Sequence, residues 1–86
     1  MHLRIISPTR KIFEGDIERV LLPGEKAPFV VLQHHAPLLS SLSAGRIVYT
    51  TTSGEEGEIA VEGGFVEVRE DRIVVGGVQD EKSEWL

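Results

Sequence analysis

Apolar and polar residues alternate along most of the chain in short runs, and turn-forming residues separate these runs at close intervals. Successive side chains of a β-strand point to opposite faces, so this alternation predicts strands with one buried face. Helical periodicity is nearly absent. The predicted strands cover residues 2–7, 12–13, 16–22, 29–31, 46–52, 58–61, 65–69 and 72–75, and the last three are expected to pair as a meander.

Turn residues mark the ends of several predicted strands. Gly15 is expected to end the second run, and Pro23-Gly24 the third, because glycine and proline interrupt a regular ladder. Glu70-Asp71 falls where a two-residue hairpin turn is expected, although the usual Asn-Gly or Asp-Gly pair is missing. The predicted strands are therefore short and closely connected.

Residues 29–42 form the most informative stretch of the chain. Its first three residues are β-branched or aromatic and predict a buried strand, which Pro37 would end. The leucines that follow recur at the spacing of one helical turn, which predicts a rigid apolar knob against a neighbour or the core. These leucines are Leu38, Leu39 and Leu42.

The number of predicted strands limits the possible architectures. A chain of 86 residues forms one domain with a thin core. About eight to ten short strands in that length favour an all-β fold, either two antiparallel sheets packed as a β-sandwich or a flattened barrel. We predict that residues 1–78 form this domain and that residues 79–86 form a short charged tail with no second domain.

Composition and charge exclude several classes of function. The chain has no cysteine, which excludes disulfides, thiolate metal sites and thiol nucleophiles and fits a reducing compartment. A formal net charge of −5 opposes binding to nucleic acid or to anionic lipid. No stretch approaches the roughly 20 apolar residues of a membrane span, and no signal core is recognisable. Membrane association would require a protein partner.

Two histidines invite a metal interpretation. His34 and His35 are neighbours, and neighbours on a strand point to opposite faces, so they cannot chelate one ion together. A zinc site would also need further ligands. We therefore predict no metal site, and the ring of His35 is expected either to form a hydrogen bond within its turn or to contact a partner.

Three blocks of sequence together carry a resemblance to a known family. They are Phe13-Glu14-Gly15-Asp16-Ile17 with Val20 and Pro23-Gly24; Val31-Leu32 with His35-Ala36-Pro37-Leu38-Leu39, Leu42 and Gly45; and Glu62-Gly63-Gly64-Phe65-Val66-Glu67-Val68. In this order and at these separations, they resemble the N-terminal β-sandwich of the epsilon subunit of F-type ATP synthases. The resemblance covers nearly the whole chain.

The resemblance implies a central-stalk rotor subunit. Such a subunit clamps the gamma subunit to the ring of c subunits, so that proton or sodium flow is coupled to ATP synthesis. It implies a non-catalytic part of the complex, without a cofactor. It also implies a peripheral location on the cytoplasmic face of the bacterial plasma membrane, reached only through the c ring.

The same resemblance implies two sets of contact residues. The expected c-ring contacts are Glu25, Lys26, Ala27, Pro28, Phe29 and Val30, and the expected gamma contacts are His35, Ala36, Pro37, Leu38, Leu39 and Leu42. The first set departs from the family pattern, since relatives usually carry a glycine-rich loop after the Pro-Gly pair. Here the loop contains a proline and no second glycine.

Most relatives continue into a C-terminal pair of helices that restrains ATP hydrolysis. Residues 79–86 would span about 12 Å even if wholly helical. We therefore expect a coupler without this brake. The role of Trp85, as an apolar plug or a frayed end, stays open at this point.

Two other classes of function compete with the rotor subunit. The first is an unrelated β-sandwich module that binds a protein or a small ligand. A lipoyl or biotinyl carrier would be one form of it, but no lysine occupies the predicted hairpin tips at residues 53–57 and 70–71. The second is a small enzyme using the carboxylate pairs Glu55-Glu56 and Glu67-Glu70, which are otherwise expected to form solvated hairpin surface.

Overall fold

The computed structural model describes residues 1–78, which form eight strands and no helix. The strands are β1 (His2–Ile6), β2 (Lys11–Leu22), β3 (Phe29–Leu32), β4 (Leu38–Leu42), β5 (Gly45–Thr51), β6 (Glu56–Val61), β7 (Gly64–Arg69) and β8 (Arg72–Gly76). The all-β prediction is confirmed. The predictions for the tail and for Trp85 concern residues 79–86 and lie outside the described residues.

The strands form two layers that share β2. Sheet A has the order β4-β7-β8-β1-β2, and sheet B joins β3, β2, β5 and β6. Residues 11–16 of β2 pair with β1, whereas residues 17–22 pair with β3 and β5. Because one strand belongs to both sheets, the whole ladder curls over a single core.

Hydrogen bonds join the turn after β2 to β4, the edge strand of sheet A. Gly24 forms an isolated β-bridge with Leu42. The amide of Glu25 donates to the Ser41 carbonyl over 3.0 Å, and the amide of Ser43 donates to the Pro23 carbonyl over 2.8 Å. The predicted sandwich or flattened barrel is therefore confirmed, and one strand pair, β1 with β8, is parallel.

The prediction that Gly15 ends a strand is wrong. Gly15 lies inside β2 and pairs with Leu3 of β1. A Cβ atom at Gly15 would lie 3.2 Å from the tip of the Phe13 ring, so the glycine lets that ring fold back along its own strand. The glycine thus serves side-chain packing within a continuous strand rather than a turn.

The predicted meander of the last three strands is also wrong. β6 pairs with β5 in sheet B, whereas β7 pairs with β4 and β8 in sheet A. The chain crosses between the sheets at Gly63 and Gly64, whose φ angles are 152° and 139°. A side chain at Gly64 would collide with the backbone, since its Cβ atom would lie 2.7 Å from the Gly76 carbonyl oxygen.

The prediction of a helical turn at the leucines of β4 is wrong. β4 is a strand whose five residues pair with β7, from Leu38 opposite Val68 to Leu42 opposite Gly64. Pairing with a neighbouring strand satisfies the backbone groups and imposes a two-residue period. In β3 the same period buries only Val31 of the three residues predicted to be buried, and Val30 faces outward.

The core consists of fourteen apolar side chains from both sheets, and no polar side chain is buried within residues 1–78. The core residues are Leu3, Ile5, Ile17, Val20, Leu22, Val31, Leu42, Ile47, Val61, Val66, Val68, Ile73, Val75 and Val78. At the side of this core, Phe13 of β2 stacks against Tyr49 of β5 with ring centroids 4.1 Å apart. This contact ties the first half of β2 to sheet B.

Candidate docking surfaces

The expected c-ring loop is a compact turn between β2 and β3. Gly24 is buried at its start, and a Cβ atom there would lie 2.8 Å from the ring of Phe29, so only glycine fits this approach. The amide of Gly24 donates to the Leu22 carbonyl over 3.0 Å. The close approach of Phe29 to Gly24 therefore determines the conformation at the base of the loop, although the loop lacks a second glycine.

The side chains of this loop divide into a polar tip and an apolar root. Residues 25–28 are all exposed. Phe29 is half-buried and packs against the core, and Val30 is 36% exposed and lies opposite Leu21 on the outer face of sheet B. A partner approaching the loop would therefore meet the charged Glu25 and Lys26 together with the apolar Ala27 and Pro28.

Residues 33–37 connect β3 to β4 and are all exposed. The amide of His35 donates to the Leu32 carbonyl over 3.2 Å, and the His35 ring donates through Nδ1 to the Ala36 carbonyl over 2.7 Å. The ring of His35 is thus held within its own turn and remains exposed. His34 has a φ angle of 66°, a backbone conformation that residues other than glycine rarely adopt.

Asp71 joins this connection to the rest of sheet A, and sequence reasoning missed it. Its Oδ1 accepts the His34 amide over 2.7 Å, and its Oδ2 lies 3.4 Å from Nδ1 of His34. Its backbone carbonyl accepts the amide of His2 over 2.9 Å. The only sequence signal was that Asp71 is a turn residue, and nothing local relates it to a residue 37 positions away.

The leucines of β4 are not equally available to a partner. Leu39 is 75% exposed on the outer face of sheet A, where Glu67 is its cross-strand neighbour. Leu38 is half-buried against the core, and Leu42 belongs to the core. Of the expected gamma contacts, the exposed residues are thus His35, Ala36, Pro37 and Leu39.

The two expected contact regions lie at opposite ends of β3 and β4. The loop before β3 is hydrogen-bonded to the last residues of β4, whereas residues 33–37 follow the end of β3. The four residues of β3 separate them by about 13 Å. This separation leaves room for two partners to be contacted at once.

Two further apolar side chains are exposed that sequence reasoning did not select. Leu32 is 54% exposed on sheet B, and Phe65 is 47% exposed on sheet A, where Ser41 is its cross-strand neighbour. The alternation of residues along each strand indicates which side chains face outward, and it could have identified both. Phe65 covers Gly76, because a Cβ atom at Gly76 would lie 2.6 Å from its ring.

A charged network joins β1 and β2 on the outer face of sheet A. Nε2 of His2 lies 2.9 Å from Glu14, and Nδ1 of His2 lies 3.1 Å from Asp16. The bond to Glu14, and then that to Asp16, raises the pKa of His2 above its usual value. The bond from His2, reinforced by Lys11 at 2.9 Å, lowers the pKa of Glu14 to about 2. The network is exposed and structural in character.

The carboxylate pairs considered for catalysis lie on the surface. Glu55 and Glu56 are exposed at the β5–β6 turn, and Glu67 and Glu70 line an open groove of about 280 Å³. Within residues 1–78, no group of three His, Cys, Asp or Glu side chains is arranged to hold a metal ion. No helix of that part of the chain is long and apolar enough to cross a membrane.

Comparison with protein families gives one match over most of the chain. A family model described as the β-sandwich domain of the ATP synthase delta/epsilon chain matches residues 1–77. The ATP synthase epsilon chain of Dehalococcoides mccartyi is 37% identical over 84 residues, which is 98% of this chain and 59% of the relative. That of Sulfurovum sp. is 41% identical over 81 residues, or 91% of this chain and 63% of the relative. The chain thus spans about 60% of these relatives' length.

Two solved structures share the fold. A chain in the mitochondrial ATP synthase of Euglena gracilis, in an assembly of OSCP, F1 and c-ring, superimposes with a TM-score of 0.82 at 16% identity. That superposition covers 90% of this chain and 49% of the Euglena chain. A chain in the central stalk and c-ring of the Tetrahymena thermophila enzyme gives a TM-score of 0.71 at 24% identity, covering 95% and 67%. At these identities the comparison shows a common fold.

Proposed function

The chain belongs to the ATP synthase delta/epsilon β-sandwich family, and from this premise we propose that it is a central-stalk rotor subunit of an F-type ATP synthase. In this role it clamps the gamma subunit to the c ring and couples ion flow to ATP synthesis. The observation that carries the proposal is the family match over residues 1–77, together with relatives named ATP synthase epsilon chain.

The geometry supports a coupler with two separate contact regions. We propose that the polar loop of residues 25–28, with Val30, faces the c ring, and that His35, Ala36, Pro37 and Leu39 face gamma. The mixture of Glu25 and Lys26 with exposed apolar atoms suits a partly hydrated contact. Leu42 is left out of this surface because it lies in the core.

The subunit itself is proposed to be non-catalytic and to need no cofactor. Within residues 1–78, Glu55 and Glu56 are exposed, and Glu67 and Glu70 line an open groove, which favours solvated surface over acid–base chemistry. Its location follows from its partners: the cytoplasmic face of a bacterial plasma membrane, reached only through the c ring. Torque and ion translocation belong to the assembled machine.

Co-assembly tests the proposal directly. The affinity-tagged chain is expressed with gamma and the c subunit of the same organism, and the complex is isolated in mild detergent. Stoichiometric recovery of gamma and the c ring is expected. Recovery of the folded chain alone, under conditions in which gamma and the c ring are themselves intact, would contradict the proposed function.

A further inference from the structure

Within the described residues, the β3–β4 connection, residues 33–37, has polar contacts to one distant residue. The His35 amide bonds to the nearby Leu32 carbonyl, and the His35 imidazole bonds to the adjacent Ala36 carbonyl, so both bonds are local. In the described part of the chain, the contacts of His34 with Asp71 are the only hydrogen bonds or ion pairs that join this segment to a distant element. Among residues 1–78, Asp71 is therefore the residue of a distant element that anchors the connection by polar contacts.

Asp71 is well suited to act as a rigid anchor. It occupies the second position of the two-residue turn between β7 and β8, with a φ angle of 62° after 50° at Glu70. Both positive φ angles are those of a type I′ hairpin turn, whose twist matches the flanking strands. Its backbone carbonyl is bound to the amide of His2, which fixes the turn against β1 as well. The carboxylate is therefore presented from a braced position.

His34 needs such an anchor because its backbone conformation is unfavourable. A non-glycine residue at a φ angle of 66° persists only where the surroundings hold it. The short amide bond of 2.7 Å to a carboxylate supplies that hold, since hydrogen bonds to charged acceptors are stronger than neutral ones. Releasing the bond would leave residues 33–37 free to leave this conformation.

From these contacts we infer that Asp71 is a positioning residue for the gamma-facing segment. Its carboxylate holds the His34 amide and thereby sets the direction in which His35, Ala36 and Pro37 are presented. Asp71 need not touch the partner itself. This inference rests on the proposed function, in which these three residues contact gamma.

The turn allows the carboxylate to be removed without changing the hairpin. Asp71→Gly keeps the backbone carbonyl that binds His2 and places at the second turn position the residue that type I′ turns prefer. Asp71→Asn also tolerates the positive φ angle and keeps an oxygen that can accept the His34 amide. Glu70→Gly is the matched control: Glu70 shares the positive φ angle of the turn, and among the described residues it makes no hydrogen bond or ion pair to residues 33–37.

Hydrogen exchange tests the anchoring in the full chain without any partner. In Asp71→Gly the amide of His34 is expected to exchange at least about tenfold faster, as for loss of one charge-assisted hydrogen bond. Asp71→Asn and Glu70→Gly should retain most of the protection. All three variants should keep the circular dichroism spectrum and melting behaviour of the unsubstituted chain. Unchanged exchange in Asp71→Gly would overturn the inference.

Affinity for the purified gamma subunit tests the consequence. We expect Asp71→Gly to bind about tenfold more weakly, Asp71→Asn to recover most of that loss, and Glu70→Gly to bind normally. Normal binding by Asp71→Gly, despite faster exchange at His34, would overturn the positioning role alone. Absence of binding by the unsubstituted chain would instead overturn the proposed function, so the two failures are distinguishable.

Discussion

Leu39 and Leu42 lie on the same strand, β4, but face opposite sides of sheet A: Leu39 is 75% exposed, whereas Leu42 is 6% exposed. Their phase follows from the pairing of β4 with β7, in which Leu39 lies opposite Glu67 and Leu42 opposite Gly64. The two leucines therefore have different roles. Leu39 is available for binding, and Leu42 supports the fold.

Leu39→Asp is expected to weaken gamma binding by about tenfold or more, since an exposed apolar contact becomes a charge that must be desolvated. The fold should remain intact, because the side chain already faces water. Binding to immobilised gamma and circular dichroism measure the two effects. Leu32→Asp, an exposed leucine outside the proposed surface, is the control and should bind normally. Equal losses in both variants would contradict a specific role for Leu39.

Leu42→Asp should prevent folding, because it places an unpaired carboxylate in the core. The expected destabilisation exceeds about 4 kcal/mol, which is most of the stability of a domain of this size. Circular dichroism without denaturant should show an unfolded chain, and urea titration should show no cooperative transition. A folded Leu42→Asp variant would contradict the assignment of Leu42 to the core.

Replacing both Glu25 and Lys26 by alanine should weaken coupling while leaving the fold unchanged, because both side chains are exposed in the loop proposed to face the c ring. We expect about a twofold lower ratio of proton pumping to ATP hydrolysis, as polar rim contacts contribute modestly. The ratio is measured in vesicles containing the reconstituted enzyme. Glu55 and Glu56, exposed around the start of β6 and outside both proposed contact regions, provide a double-alanine control, and an identical loss there would argue against a specific ring contact.

The charged network around His2 predicts a defined dependence of stability on pH. Because its partners raise the pKa of His2 in the folded chain, its stabilising contribution is complete below the unfolded value of 6.5 and is lost as pH rises through the raised pKa. The contribution of Glu14 is present above its unfolded value of 4.5 and is lost as pH falls through about 2. Both contributions are therefore present between these two unfolded values.

The variant His2→Gln removes the charge and keeps a polar side chain. Its melting temperature should lie below that of the unsubstituted chain by up to about 4 °C near pH 5.5, since exposed ion pairs stabilise little. The difference should shrink at pH 9, where the imidazole is neutral, and in high salt, which screens its ion pairs and the nearby charges of Arg4, Lys11 and Arg72. A difference that is constant from pH 5 to 9 would exclude the charged form of His2 as its origin.

Phe13→Ala should destabilise the domain by about 2–4 kcal/mol, because it removes the ring that joins β2 to Tyr49 of sheet B and leaves a gap beside the core. Urea denaturation at constant pH gives the value. Tyr49→Phe keeps both rings and should change the free energy of unfolding by less than about 1 kcal/mol. Similar losses in the two variants would place the stabilisation in the phenol hydroxyl rather than in the ring contact.

The alternation of residues was enough to predict most strands, but it could not decide between a strand and a turn at Gly15. Local sequence presents that glycine as a break, whereas its role depends on the ring of Phe13 folding back over it. The prediction for the leucines of β4 is wrong for a related reason. Residues 38, 39 and 42 fit one turn of a helix, and only their pairing with β7, a strand more than twenty residues later, imposes the two-residue period.

The candidate surface was predictable in part. The exposed loops at residues 25–28 and 33–37 follow from their turn chemistry and their place between apolar strands. The bond between Asp71 and His34 could not be predicted, since it depends on sheet order: β8 lies beside β1, and β4 beside β7. Contacts fixed by strand order rather than by local sequence are therefore the ones that sequence reasoning missed.

The sharing of β2 between both sheets has a mechanical consequence. In a sandwich whose layers are connected only by loops, sideways force is resisted by side-chain packing alone. Here residues 11–16 and 17–22 belong to one continuous strand that is hydrogen-bonded within both layers. Shear between the two layers is therefore resisted by rows of backbone hydrogen bonds. Such rows yield together rather than one at a time. We therefore expect the two layers to resist twisting as one stiff body, without slippage of one layer over the other.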